Sequence, residues 1–382
     1  MPSVKTSSTK EKQTQPRDFG FDDETAMLKD SAQRYLSELA PLTGLRGSLK
    51  GTEDPYRGNV RGSYHDPEAW RAMRELGWHL VAIPEACGGL GMGLVASVAI
   101  AEEIGRAACP TPLSSTLQSV FVLREAGASD LLSRVAGGES VGLALHGEDG
   151  SLETDSTDVT ADGTRLTGTS WYVQDAAKVD GFIVAARAPA GVGLYHVAAE
   201  AVSVQPDRIV DLTRDQGRVV LEGAEASVVA PPGEGEVVLA RALPALWTLL
   251  AADMAGAAEW QLQATAEYAK TRVQFDRPIG FFQAVKHPLV NMMIAADETR
   301  SLVYSAACAY DTDPADARRT AHLAKASASD TASFCSNRST QLHGGIGFTW
   351  ESDVQIYHKR QMHSQFLWGD GSWHRQQLAA LL

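Results

Sequence analysis

Residues 268–283 read YAKTRVQFDRPIGFFQ and residues 341–351 read QLHGGIGFTWE, and these two stretches decide the fold. Each one joins two long helical patterns through a loop that carries glycine, glutamine and aromatic residues. Arginine can bind a phosphate through two hydrogen bonds, phenylalanine can stack on a flat ring, and glycine lets backbone N–H groups approach a pyrophosphate. Together the stretches could hold a dinucleotide. Helix-terminating loops with C-cap glycines explain the same residues, and residue types alone slightly favour that second interpretation.

Helical periodicity surrounds both stretches. Apolar residues recur at helical spacing over residues 236–271, 281–309 and 314–342, and a last helix is predicted from about residue 351. Between residues 141 and 221, short β-rich runs alternate with Asp-Gly and other glycine turns, as is typical of strands. The order of helices, strands and helices indicates an α+β fold. We predict a disordered tail over residues 1–18, an N-terminal helical domain over 19–139, a central β domain over 140–233, and a C-terminal helical bundle over 234–382.

The composition of the chain argues against some classes of function. The 382 residues carry 34 Lys and Arg against 47 Asp and Glu, a net charge of −13, and no basic cluster is present that could neutralise a row of phosphates. We therefore expect no nucleic-acid partner. Uncharged stretches are broken by Gly, Pro and Ser, so we expect no membrane span. The four cysteines are scattered and the N-terminus has no apolar signal core, which predicts a cytoplasmic protein.

The two late stretches resemble the signature sequences of the acyl-CoA dehydrogenase family. Leu76-Gly77-Trp78, residues 84–91 (PEACGGLG) and residues 102–106 (EEIGR) resemble the family's N-terminal helical domain. The resemblance runs from about residue 20 to the end of the chain. It implies the acyl-CoA dehydrogenase fold, with an N-terminal helical domain, a central β-barrel-like domain, a C-terminal four-helix bundle, bound FAD and a dimer of dimers. The family reaction is α,β-desaturation of an acyl-CoA thioester, with a carboxylate as base and electron transfer flavoprotein as acceptor.

The resemblance also implies where the adenine half of FAD binds. In the family, the two late stretches hold that half for the neighbouring subunit of a dimer. The residues at the matching positions are Arg272, Gln274, Phe275, Gln283, Gln341, Gly344 and Gly345. This half of the cofactor site is intact in the sequence.

The other half of the flavin site departs from the family pattern. A Thr-Glu-Pro-Gly-Ala-Gly-Ser-Asp loop is replaced by residues 146–153 (HGEDGSLE), so that His146 stands for the Thr and Leu152 for the Ser. On the next strand, Tyr172 stands at the aromatic position and Gln174 at the position of a Thr. An aromatic side chain could still stack on the flavin ring, but the small hydroxyl donors to its polar edge are missing.

The position of the catalytic base also departs from the family pattern. Matched on the following glycine, Trp368 takes the place of the family's Glu, and an indole cannot accept the proton. Some members carry the Glu on the first helix of the C-terminal domain, near Leu246 here, but residues 237–252 contain no Asp or Glu. Asp370 and Asp253 remain as relocated bases. For each of them, a solvated carboxylate at a helix end is the interpretation we expect.

These departures favour a non-catalytic subunit that completes the FAD site of a related catalytic subunit in a heterotetramer. Relatives with similar departures act on steroid-derived acyl-CoAs, so we expect that substrate class. A complete homotetrameric enzyme that uses Asp370 as its base is the first alternative. A flavin-free scaffold is the second.

Overall fold

The computed structural model describes residues 18–49, 65–153 and 155–381. All but the last residue of the tail predicted over 1–18 therefore lies outside the described residues. The helices are α1 (Asp23–Leu39), α2 (Pro41–Leu49), α3 (Pro67–Glu75), α4 (Leu94–Arg106), α5 (Leu113–Ala126), α6 (Ser129–Ala136), α7 (Gly235–Thr271), α8 (Gln283–Thr312), α9 (Pro314–His343), α10 (Val354–Ser364) and α11 (Gly371–Ala379). The strands are β1 (Val141–Ala144), β2 (Asp158–Asp162), β3 (Arg165–Gln174), β4 (Gly181–Ala188), β5 (Gly191–Ala198), β6 (Ser203–Pro206), β7 (Gln216–Glu225), β8 (Ser227–Ala230), β9 (Val273–Gln274) and β10 (Arg277–Pro278). This order confirms the predicted α+β fold.

The N-terminal helices pack against the C-terminal bundle. The Asp66 side chain accepts hydrogen bonds from the backbone N–H groups of Glu68 and Ala69 and caps α3. Helix α4 is buried along most of its length and crosses α7 closely. A Cβ on Gly105 would lie 1.9 Å from the carbonyl oxygen of Asp253, and one on Gly256 would lie 1.8 Å from that of Glu102. These two glycines allow backbone contact between α4 and α7, and thereby fix α7 against the N-terminal helices.

The central strands form one sheet in the order β6-β7-β3-β2-β4-β5-β8, with β1 beside β4. The sheet has its own apolar core, which includes Val159, Leu166, Phe182 and Tyr195. Strand β3 is irregular between Ser170 and Val173, where its register against β7 shifts. Tyr172 lies in this irregularity with a φ of 57° and is 40% exposed. The Tyr172 hydroxyl donates to the Glu148 carbonyl oxygen in the loop after β1.

The C-terminal bundle is built around α7, a helix of 37 residues. By length and composition α7 could cross a membrane, but 78% of its most apolar stretch is buried inside the protein, as in a core helix. Helices α8 and α9 follow the predicted ranges closely. The last predicted helix is instead two helices, because Trp368 and Gly369 adopt φ values of 57° and 94° and end the helical path after α10. The loop of residues 365–370 between α10 and α11 faces the sheet.

Candidate cofactor site

The two late stretches lie side by side at one end of the bundle. The ring of Tyr268 stacks on that of His343 with centroids 4.4 Å apart, and the Tyr268 hydroxyl donates to the His343 carbonyl at 3.4 Å. Since α7 and α9 both end here and α8 begins here, the loops after α7 and α9 share one surface. We call this surface, residues 272–283 and 341–349, the nucleotide surface.

All seven residues predicted to hold the nucleotide are exposed on this surface. Phe275 is 85% exposed, at the tip of the small β9–β10 hairpin, with a φ of 53°. A Cβ added to Gly344 or Gly345 would meet nothing within 4 Å, so the backbone there is open to an approaching group. The structure thus brings Arg272, Gln274, Phe275, Gln283, Gln341, Gly344 and Gly345 to one end of the bundle.

Apolar side chains surround the nucleotide surface and continue along α8. These exposed residues are Val273, Phe281, Val290, Met293, Ile294, Ile346 and Phe348. Apolar patches of this kind on a folded protein are typical of contact surfaces for another chain. The predicted nucleotide residues therefore lie inside a surface suited to a protein partner.

A second region lies between the sheet and the bundle. It contains a cavity of about 330 Å³. Its lining residues come from α5, the sheet and its connecting loops, α10 and the loop after α10. They are Ser115, Gln118, Leu143, His146, Gly150, Leu152, Tyr172, Gln174, Ile209, Gln216, His363, Phe366, Leu367 and Trp368. None of these described lining residues carries a carboxylate. We call this region the cleft.

The two walls of the cleft touch. The imidazole of His146, from the sheet side, and the indole of Trp368, from the bundle side, have ring centroids 4.8 Å apart. Burial lowers the pKa of His146 below its ordinary value, and its Nδ1 lies 3.2 Å from the Ser151 carbonyl oxygen. The two residues that the resemblance places at the family's Thr and Glu positions therefore contact each other directly.

Asp370 does not line the cavity. It is the N-cap of α11, and its carboxylate accepts the Trp373 backbone N–H at 2.7 Å. Its charge stabilises the start of α11, where the N–H groups of the first turn lack partners within the helix. The role of Asp370 as catalytic base stays a prediction. Its role as the N-cap of α11 is what the structure shows.

Asp253 is not solvated, which corrects the expectation for this residue. It is 4% exposed and forms ion pairs with Arg214 and Arg360, the first at 2.7 Å between Oδ1 and Nη2. Arg360 is itself 1% exposed and also donates to the Thr213 hydroxyl at 2.7 Å. Arg214 and Thr213 belong to the segment before β7, so this buried pair joins the sheet to α7 and α10. The contact between α4 and α7 leaves the Asp253 position inside the protein.

The sequence analysis did not predict the buried groups that form hydrogen bonds with the loop of residues 365–370. Lys325 is fully buried, and its ammonium donates to the carbonyl oxygens of Gln365 and Gly369 at 3.1 and 2.7 Å. Nε2 of His374 lies 3.0 Å from the Trp368 carbonyl oxygen. Nδ1 of His374 lies 2.8 Å from Nδ1 of the buried His322. A single lysine among the small residues of α9 was the only sequence signal for the first contact.

Most of the chain matches one known protein family. Residues 233–382 match the family description "Acyl-CoA dehydrogenase, C-terminal domain", and residues 51–135 match "Acyl-CoA dehydrogenase, N-terminal domain". The acyl-CoA dehydrogenase IpdE2 of Mycolicibacterium smegmatis is 30% identical over 308 residues, covering 80% of this chain and 85% of IpdE2. The acyl-CoA dehydrogenase FadE34 of Mycobacterium tuberculosis is 34% identical over 319 residues, covering 81% of this chain but only 42% of FadE34.

Solved structures give the same fold over nearly the whole chain. A variant of the Tcur3481–Tcur3483 steroid ACAD is 29% identical, with a TM-score of 0.81 and coverage of 94% of this chain and 97% of that one. The ChsE4–ChsE5 complex from Mycobacterium tuberculosis is 27% identical, with a TM-score of 0.82 and coverage of 95% and 98%. Arrangement, family descriptions and relatives agree, and the chain belongs to the acyl-CoA dehydrogenase family.

The family implies FAD, and the two regions differ in how they fit it. The exposed cations, amides and open glycine backbone of the nucleotide surface suit a nucleotide. The cleft suits the flavin ring less well, because the rings of His146 and Trp368 are in contact across it and because the resemblance places Gln174 and Leu152 where the family has hydroxyl donors.

Proposed function

We propose that this chain is the non-catalytic subunit of a heterotetrameric FAD-dependent acyl-CoA dehydrogenase. Two copies pair with two copies of a related catalytic subunit, and each nucleotide surface holds the adenine half of the FAD whose ring lies in the partner. The complex desaturates a steroid-type acyl-CoA in the cytoplasm and passes electrons to an electron transfer flavoprotein. The assignment of substrate class and heteromeric assembly follows the relatives described as a steroid ACAD and as the ChsE4–ChsE5 complex.

The observation that carries this proposal is that no described residue lining the cleft has a carboxylate. Removal of the α-proton of a thioester requires a positioned base. Trp368 occupies the expected place of that base, Asp253 is held by two arginines, and Leu246, at the alternative position, is fully buried in the apolar core.

Two imidazoles also line the cleft, but both are already engaged. Nε2 of His363 lies 3.2 Å from Oε1 of Gln216, and its Nδ1 lies 3.8 Å from an Asp211 carboxylate oxygen. Both ring nitrogens of His363 therefore have a protein oxygen nearby, and Nε2 is within hydrogen-bond distance of one. His146 is packed against Trp368, and burial makes it a weaker base. The chain's own cleft thus supports no proton abstraction.

The test is the ratio of flavin to chain. A tagged form of the chain is produced alone and together with each acyl-CoA dehydrogenase of its own genome, and FAD is quantified from the visible spectrum of the purified protein. The proposal expects no FAD on the chain alone and one FAD per two chains in a complex that an acyl-CoA reduces. One FAD per chain in a homotetramer that an acyl-CoA reduces would overturn it.

A further inference from the structure

We propose that His146 and Trp368 form a plug that excludes the flavin ring from this chain's own cleft. The inference rests on the proposed function and gives it a cause: the plug makes the chain bind only the nucleotide half of FAD. It is specific to two residues, one on each wall.

The distance between the rings leaves no space for a third ring. Their centroids are 4.8 Å apart with a 59° tilt. A flat ring inserted between two others needs them about 7 Å apart, twice the optimal carbon–carbon contact of ~3.5 Å. Leu152 extends the closure, since its Cδ1 lies 3.1 Å from where a Cβ on Gly369 would be. The loop of residues 146–152 therefore rests on the loop of residues 365–370.

Trp368 is fixed from the bundle side. Burial lowers the pKa of His322 to about 4 and that of His374 to about 2, so both imidazoles are neutral. Since Nε2 of His374 faces the carbonyl oxygen of Trp368, it carries the proton, and Nδ1 of His374 must accept from Nδ1 of His322. With the two hydrogen bonds from Lys325 to Gln365 and Gly369, three carbonyl groups of this loop have buried donors. This support holds Trp368 in its left-handed backbone conformation.

His146 is fixed from the sheet side. Its backbone forms a β-bridge with Trp171, and its carbonyl oxygen accepts the Trp171 N–H at 3.0 Å. Its ring lies beside the Ser151 carbonyl oxygen, and the Tyr172 hydroxyl donates to the Glu148 carbonyl at 2.8 Å, which ties the loop to β3. Each plug residue is thus positioned by its own part of the fold.

The test uses lumiflavin, which has the ring but neither phosphate nor adenine, titrated into the purified chain alone and followed by quenching of flavin fluorescence. The double variant His146→Thr, Trp368→Ala removes both rings and restores a small hydroxyl on the loop. We expect it to bind lumiflavin at least about tenfold more tightly than the unchanged chain. Met27→Ala is the control, since Met27 lies on α1, is 73% exposed and is not among the residues that line the cavity, and its binding should equal that of the unchanged chain.

Two results would overturn the plug: equal lumiflavin binding by the unchanged chain and the double variant, or no binding by a double variant that melts cooperatively. If the double variant does not fold, lumiflavin binding is measured with His146→Thr alone, which leaves the loop of residues 365–370 unchanged. The same two results would then overturn the plug. Failure of the plug is distinguishable from failure of the proposed function, because the latter is decided by FAD content in the complex without lumiflavin.

Discussion

The nucleotide surface and the cleft stand in contrast within one chain. All seven residues that the resemblance assigns to the nucleotide are exposed on the nucleotide surface. In the cleft, the rings of His146 and Trp368 are in contact, and a cavity of about 330 Å³ remains beside them. The proposed function accounts for this contrast. A surface that another chain completes stays open, whereas a cleft that binds no flavin ring can have its two walls in contact.

The two sides of the cleft are joined by the buried ion pairs of Asp253 with Arg214 and Arg360. Removing one of these ion pairs is the change for which we predict the largest effect. Arg360→Met leaves the buried carboxylate of Asp253 without one of its two partners and should lower the free energy of unfolding by about 3–5 kcal/mol. The measurement is urea denaturation followed by circular dichroism.

Arg375→Met is the control for this prediction. Its ion pair with Asp330 is exposed, with side-chain exposures of 52% and 64%, and should contribute less than about 1 kcal/mol. Equal losses in the two variants would mean that the sheet and the bundle are not held together by the buried pair.

On the nucleotide surface the expected effect is on cofactor binding and not on stability. Arg272→Ala should weaken FAD binding by the purified complex about tenfold to a hundredfold, as expected for a charged hydrogen bond to phosphate worth ~1.5–3 kcal/mol. Arg277→Ala serves as control, because Arg277 lies on the same hairpin but over the Phe281 ring, with its Cζ 4.4 Å from the centroid. If Arg272→Ala binds FAD with unchanged affinity, the nucleotide surface is not part of the cofactor site.

A smaller effect should report on the support of the plug. Burial lowers the pKa of Lys325 from 10.5 to about 7, so between these values the unfolded chain binds a proton that the folded chain lacks. This lysine should therefore make stability rise with pH from about 7 to about 10, by at most ~1.4 kcal/mol per pH unit.

Lys325→Met should remove that contribution, and the check is urea denaturation of both proteins across this pH range. Lys270→Met, at an exposed helix position, should leave the slope unchanged. If Lys325→Met keeps the slope of the unchanged chain, Lys325 stays protonated in the fold and its contacts with the loop are those of an ammonium group throughout.

The sequence predicted the loops that share the nucleotide surface better than it predicted the contacts in the cleft, and the reason is physical. The nucleotide surface is made of two local motifs at helix ends, and helix ends leave signals such as glycine and a break in periodicity. The plug joins residues far apart in the chain, so no local pattern contains it. The burial of Asp253 was missed because its place beside α4 depends on the close approach of Gly105 and Gly256. Lys325 was missed because lysine is almost never fully buried.

The smallest expected effect separates the two roles open to Asp370. Asparagine is as good an N-cap as aspartate, so Asp370→Asn should keep α11 and change the free energy of unfolding by less than about 0.5 kcal/mol. It cannot accept a proton, so a catalytic role would cost about 10²–10⁴-fold in rate, whereas a capping role costs almost nothing. We expect the purified complex to desaturate its acyl-CoA at a rate within about twofold of the unchanged protein, measured by reduction of an external electron acceptor. Asp370→Ala completes the comparison, because it should lose ~1 kcal/mol of stability with the cap while the rate again stays unchanged. A rate that falls in both variants would make Asp370 the base, and the cleft of this chain would then be an active site.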